Sequence, residues 1–244
     1  MIQVANLTKT FGTIEALKGV TFMAEDGQVT GLLGPNGAGK TTTLRILYTI
    51  LKPNSGAALI DGIDVLAQPL QAQQRMGALP ESHGLYPRLS ARENIRYFGQ
   101  LQGLDGKPLE ARINSLCQML EMETIIDRRT EGFSTGERMK VSIARALVHD
   151  PRNVLLDEPT AGLDVMSTRA MRNFILGLRD LGKCVLLSSH IMQEVSMLCD
   201  RIVVIAHGEV VASGSAEELM QATRQPTLED AFVAAIGSEE GLQK

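Results

Sequence analysis

Apolar and polar positions alternate through Ile2–Gly12 (IQVANLTKTFG), which predicts an edge strand; a second strand is predicted around Gly19–Met23 after a turn. The turn-like AEDGQ separates them from Val29–Leu33 (VTGLL), a short unbroken apolar run of the kind a strand buried on both faces requires. That run feeds a glycine-rich loop. From Lys40 the residues TTTLRILYTIL predict a helix, stopped by the turn residues Pro53, Asn54 and Gly56. AALIDGIDV then reads as a hairpin and MGALP as another short strand.

The texture changes at His83. From about residue 83 to 150 the pattern is mainly helical, with Ser90 and Glu93 spaced as a capping box and GLDGKP as a break between helices. NVLLDE, CVLLSS and RIVVIA follow as strand-like runs separated by helical lengths, the alternation of a parallel sheet covered on both faces. HGEVVASG predicts a terminal hairpin, and Thr227 a cap for a short helix in a tail from about 226 to 244. The expected architecture is α/β, one domain over 1–244: a mostly parallel sheet core, an N-terminal antiparallel β subdomain and a helical insert.

Composition narrows the classes. The 244 residues are 44% hydrophobic and 21% charged, an ordinary globular balance, and the net charge of −4 gives no broad attraction to nucleic acid or anionic lipid. No apolar run approaches the ~18 residues of a membrane span, and the N-terminus lacks the apolar core of a secretory signal. The expected location is cytoplasmic, with any membrane role arriving through a partner. Cys117, Cys184 and Cys199 are an odd, scattered set without metal-ligand spacing, which reads as reduced thiols.

Chemistry concentrates at three places. Gly34-Pro35-Asn36-Gly37-Ala38-Gly39-Lys40-Thr41, followed by Thr42, matches G-x-x-x-x-G-K-[ST] between a predicted strand and a predicted helix. Glycines let successive N–H groups point at phosphate oxygens, and the helix start adds to that field. Lys40 would reach the β- and γ-phosphates of a bound nucleotide, and Thr41 would offer a hydroxyl to Mg²⁺. Asp157 and Glu158 close an apolar strand at its carboxyl end, where ligands bind in parallel sheets; the first suits a metal, the second a water. In GFSTGERMKV, Ser134 and Glu137 make S-x-x-E, a helix cap whose free donors could also grip a phosphate.

GPNGAGKTT, GFSTGERMKVSIARAL, LLDEPTAGLD and LLSSH, in that order, resemble the nucleotide-binding subunit of ABC transporters across nearly the whole chain. The resemblance implies a P-loop NTPase that hydrolyses ATP with Mg²⁺. It implies a head-to-tail homodimer in which Ser134, Thr135, Gly136 and Glu137 act on the partner's ATP. Ser134 and Gly136 match the usual LSGGQ, whereas Thr135 and Glu137 depart from it, and Glu137 is expected to turn away and cap its helix. It further implies that His190 contacts the γ-phosphate and supports Glu158, and that Asp164 communicates across the dimer. Phe11 falls where an aromatic stacks on adenine, the alternative being a core aromatic on an edge strand. Glu81 stands where a glutamine usually touches Mg²⁺.

HGLYPRLSARENIRYFG with the terminal TLEDAF resembles type-2 exporters, including NatA-type sodium exporters and drug-resistance ATPases. The chain is therefore expected to power export of Na⁺ or a drug-like molecule through a separate membrane permease, peripheral on the inner face of the membrane. The alternative is a non-transport cassette ATPase acting on ribosomes or DNA, for which the acidic balance gives no support. No nucleic-acid partner is expected.

Overall fold

A computed structural model describes residues 1–80 and 84–237. Among these, two sheets carry the architecture. In the smaller, β1 (Ile2–Phe11) pairs antiparallel with β2 (Ile14–Ala24) and, on its other edge, with the later hairpin of β4 (Ser55–Ile60) and β5 (Ile63–Asp64). The larger contains β3 (Val29–Leu33), β6 (Met76–Leu79), β7 (Asn153–Asp157), β8 (Cys184–Ser189), β9 (Arg201–Ala206) and β10 (Glu209–Gly214), in the order β10-β9-β3-β8-β7-β6. All its pairings are parallel except β10 with β9.

Every residue of β3, β7 and β8 is buried. Successive side chains point to opposite faces, so both faces must be apolar. Val154, Leu156, Val185 and Leu187 join a core shared with the helices α3 (Ala91–Leu101), α4 (Gly106–Met119), α5 (Thr135–Leu147) and α6 (Val165–Asp180). Leu155 and Leu186 pack on the other face against the antiparallel sheet and α1 (Lys40–Leu47). Each such leucine contributes ~1.5–3 kcal/mol by leaving water, and together they hold the carboxyl ends of β3, β7 and β8 side by side.

The remaining helices are α2 (Pro69–Gln74), α7 (Met192–Leu198), α8 (Ala216–Thr223) and α9 (Leu228–Ile236). Several expectations change in detail. β1, expected as an edge strand, lies inside its sheet, because the later strand β4 pairs with the side that β2 leaves free. β2 begins at Ile14 rather than near Gly19, because Gly19, at φ +99°, is the extra residue of a bulge between the pairs Leu7↔Val20 and Thr8↔Lys18. The helical stretch is interrupted: only a 3-10 turn, Thr130–Gly132, lies between α4 and α5 in chain order. The break before α4 ends at Asp105, whose side chain accepts from Gly106 N–H. The terminal hairpin uses RIVVIA as one arm and turns on His207-Gly208, both at positive φ. α9 is capped by Thr227, as expected, and ends at Gly237; residues 238–244 of the expected tail lie outside the described residues. All three cysteines are free thiols.

Candidate functional site

β3 ends at Leu33 and the chain turns through Gly34–Gly39 into α1. Gly37 and Gly39 have φ +79° and +110°. A Cβ on Gly39 would lie 2.7 Å from Leu17 Cδ2 and 2.9 Å from Ala16 O, so the turn excludes any larger residue twice over. No side chain caps α1, which leaves its first N–H groups open toward the loop. The buried Lys40 lays its ammonium across that loop, donating to Gly34 O at 2.6 Å and Pro35 O at 3.1 Å. Burial pushes the ammonium below the usual lysine range, opposed by the charges of Glu158 and Asp157.

Asp157 and Glu158 arrive from β7. Asp157 is 3% exposed and accepts from Ser188 Oγ at 2.6 Å and, at the long limit, from Thr41 Oγ1 at 3.4 Å. Glu158 is held at φ +50°, a conformation non-glycine residues adopt rarely. Its carboxylate meets His190 Nδ1 at 3.0 Å, His190 being half exposed at the end of β8. The loop from Asn36 to Thr42, with Glu158, Ala161 and His190, lines a cavity of about 270 Å³. A basic amine, open helix donors and a carboxylate–imidazole pair therefore converge on one phosphate-sized space.

The other expected residues lie elsewhere. Ser134–Glu137 line no part of this cavity. Ser134 caps α5 as the spacing predicted: Glu137 N–H donates to Ser134 Oγ at 3.2 Å, and Ser134 N–H to Glu137 Oε2 at 2.8 Å. Arg128 Nη1 also donates to Glu137 Oε1 at 3.1 Å, so the acid faces its own helix start. Asp164 caps α6, accepting from Met166 N–H and Ser167 N–H at 2.9 Å each and from Ser167 Oγ at 2.7 Å. Phe11 is 46% exposed, which removes the core-aromatic reading; Lys9 Nζ lies 5.2 Å from its ring centroid. Glu81 lies outside the described residues. A larger apolar groove of about 780 Å³ runs between α5 and α6 and includes Met139, Met166 and Phe174, but it carries none of the P-loop chemistry.

Two groups escaped the reading of the sequence. Ser188 touches both Asp157 and Glu158, its hydroxyl accepting from Glu158 N–H at 3.1 Å. Thr160 donates to the buried carboxylate of Glu194 on α7, which Arg172 Nη2 approaches at 3.5 Å. The available signal for the first was two consecutive serines ending an otherwise apolar buried strand.

A sequence profile of the family described as ABC transporter matches residues 17–161. The chain is 44% identical over 224 residues to the ABC transporter ATP-binding protein NatA of Bacillus subtilis (strain 168), covering 91% of each. It is 32% identical to the linearmycin resistance ATP-binding protein LnrL of the same organism, over 98% of this chain and 79% of that one. Among solved structures it is similar to the dimeric post-hydrolysis state of the ATP-binding cassette MJ0796 bound to ADP and Pi, with a TM-score of 0.80 and 27% identity, covering 88% of this chain and 98% of that one.

Proposed function

The chain belongs to the ABC transporter family, and on that premise we propose that it is the ATP-hydrolysing subunit of an exporter, working as a head-to-tail pair against a separate membrane permease. The carrying observation is that Lys40, the open start of α1, Glu158 and His190 border one cavity. In this reading Lys40 and the loop amides hold the β- and γ-phosphates of ATP. Glu158 takes the proton of an attacking water as the new bond to the γ-phosphorus forms and the bond to the β-phosphate oxygen breaks, releasing ADP and phosphate. His190 orients that carboxylate at 3.0 Å.

Thr41 and Asp157 offer hard oxygen donors of the kind Mg²⁺ takes. Among the described residues no cluster of three or more His, Cys, Asp or Glu would hold a metal by itself, which suits an ion completed by substrate phosphates. When bound, that ion would offset phosphate charge; Thr41 and Asp157 would hold it. Phe11, exposed at the turn end of the β1–β2 hairpin, offers a ring face on which adenine can stack. The start of α5 serves the partner's nucleotide, and Asp164 is the link between the two sites.

Among the described residues no helix is long and apolar enough to cross a membrane. In this reading the chain works at the cytoplasmic face through its permease, which selects the cargo; Na⁺ or a drug-like molecule fits the branch resembled. The test uses the chain co-purified with its permease. Glu158→Gln is expected to bind ATP, lose at least about 100-fold in turnover and accumulate a dimer seen by light scattering. Wild-type turnover in that variant would remove Glu158 from the reaction. Turnover per molecule that stayed constant on dilution to monomer would remove the paired site.

A further inference from the structure

Ser188 is the residue of β8 that stands directly beside Asp157 in the parallel ladder. Its side chain is wholly buried, 0% exposed, so its hydroxyl must find partners inside the protein. It finds two. The O–H donates to Asp157 Oδ1 at 2.6 Å, while the oxygen accepts from Glu158 N–H at 3.1 Å; the same N–H also reaches Ser188 O at 3.3 Å. The two residues so joined are consecutive in the chain but have different work: one offers its carboxylate beside Thr41, the other reaches toward His190.

We propose that Ser188 is a positioning residue for ATP hydrolysis, its single hydroxyl locking the Asp157 carboxylate and the backbone of Glu158 into one orientation. The inference rests on the hydrolytic reading above. A hydroxyl suits this position because it donates to one neighbour and accepts from the other through the same atom. Alanine would leave Asp157 Oδ1 with only the 3.4 Å contact from Thr41, and Glu158 N–H with only the 3.3 Å carbonyl. Glu158 sits at φ +50°, a backbone state that the surroundings must hold in place. Ser188 holds it from the neighbouring strand.

The experiment compares wild type, Ser188→Ala, Ser188→Thr and Glu158→Gln as the full chain with its permease. Loss of a hydrogen bond to a charged group predicts that Ser188→Ala lowers kcat about 10- to 100-fold while the KM for ATP moves less than about threefold, because the P-loop is untouched. Binding of a fluorescent ATP analogue in EDTA is expected to stay unchanged. Ser188→Thr, which keeps the hydroxyl, restores most of kcat. If Ser188→Ala kept wild-type kcat where Glu158→Gln stopped turnover, the role of Ser188 alone would be overturned. If Glu158→Gln also turned over normally, the hydrolytic reading would fall first. Equal losses in the Ala and Thr variants, matched by equal drops in Tm, would make the site one of packing and also overturn the proposal.

Discussion

The starts of α1 and α5 are built in opposite ways. α1 opens from a glycine at φ +110° with no side-chain cap, so its donors stay free and a buried lysine is folded over them. α5 opens from Ser134 in a closed capping box, with Glu137 bound back to the Ser134 N–H and neutralised by Arg128. A capping box occupies the first and fourth N–H groups and leaves those of Thr135 and Gly136 without helical partners. Gly136 also lets α5 come close to α6: a Cβ there would lie 3.2 Å from Ser167 Oγ, the hydroxyl that Asp164 holds. One start is left open by its own chain. The other is closed on itself as a helix and keeps two N–H groups spare, the pair that the proposed trans role would use.

The strongest way to break that contrast is at Lys40. Lys40→Ala should abolish ATP binding and lower turnover by about a thousandfold, measured by fluorescent nucleotide titration and phosphate release. Unchanged binding would mean that the open start of α1 suffices alone. Ser134→Ala comes next. Loss of a cap costs ~1 kcal/mol of stability, visible as a small shift in denaturant midpoint, whereas a donor to the partner's phosphate predicts a further drop of about 100-fold in turnover. A folded variant with full activity would return Ser134 to the status of a plain cap.

The smallest effect sharpens the comparison. The Ser134 N–H, then the Ser134 hydroxyl and Arg128, hold the Glu137 carboxyl below the ordinary carboxylate range. A lowered folded-state value stabilises the fold fully above the unfolded value near ~4.3, and the contribution is lost as pH falls through the lowered one. Glu137→Gln should remove this acid-sensitive increment from melts compared between pH 7 and pH 3, while turnover at neutral pH changes less than about twofold. A large loss of turnover would make Glu137 a participant rather than a brace.

How much of this was legible in the residue string follows from where each geometry is made. The P-loop, the S-x-x-E of α5 and the acidic pair after β7 are local: strand, turn and helix start lie within a few residues, so spacing alone predicted their form. The paired serines ending β8 marked Ser188 as unusual, but its partners stayed hidden because they come from β7 lying beside β8, Asp157 being 31 residues away in the chain. Glu194 escaped for the same reason, its partner Thr160 being on another segment. α8 is a different kind of omission. Ser215 and Glu218 form the same capping box that marked α3 and α5, and the rule that found those two applies to it unchanged. β2 was read short because Gly19 looked like a beginning, when it is a bulge inside a longer ladder.

The pairing of β7 with β8 sets a tolerance for insertions and deletions. Asp157 faces Ser188 because β8 is entered at Cys184 opposite Asn153 and counted forward without a gap. Extra residues in the turn around Gly182, at the protein surface, would leave that count intact. Removing one residue between Cys184 and Leu187 while keeping the entry point would slide Ser189 to Asp157 and reverse the face of every later side chain. The pairing of Asp157 with Ser188 is thus indifferent to the length of the road into β8 and intolerant of a single miscount along it.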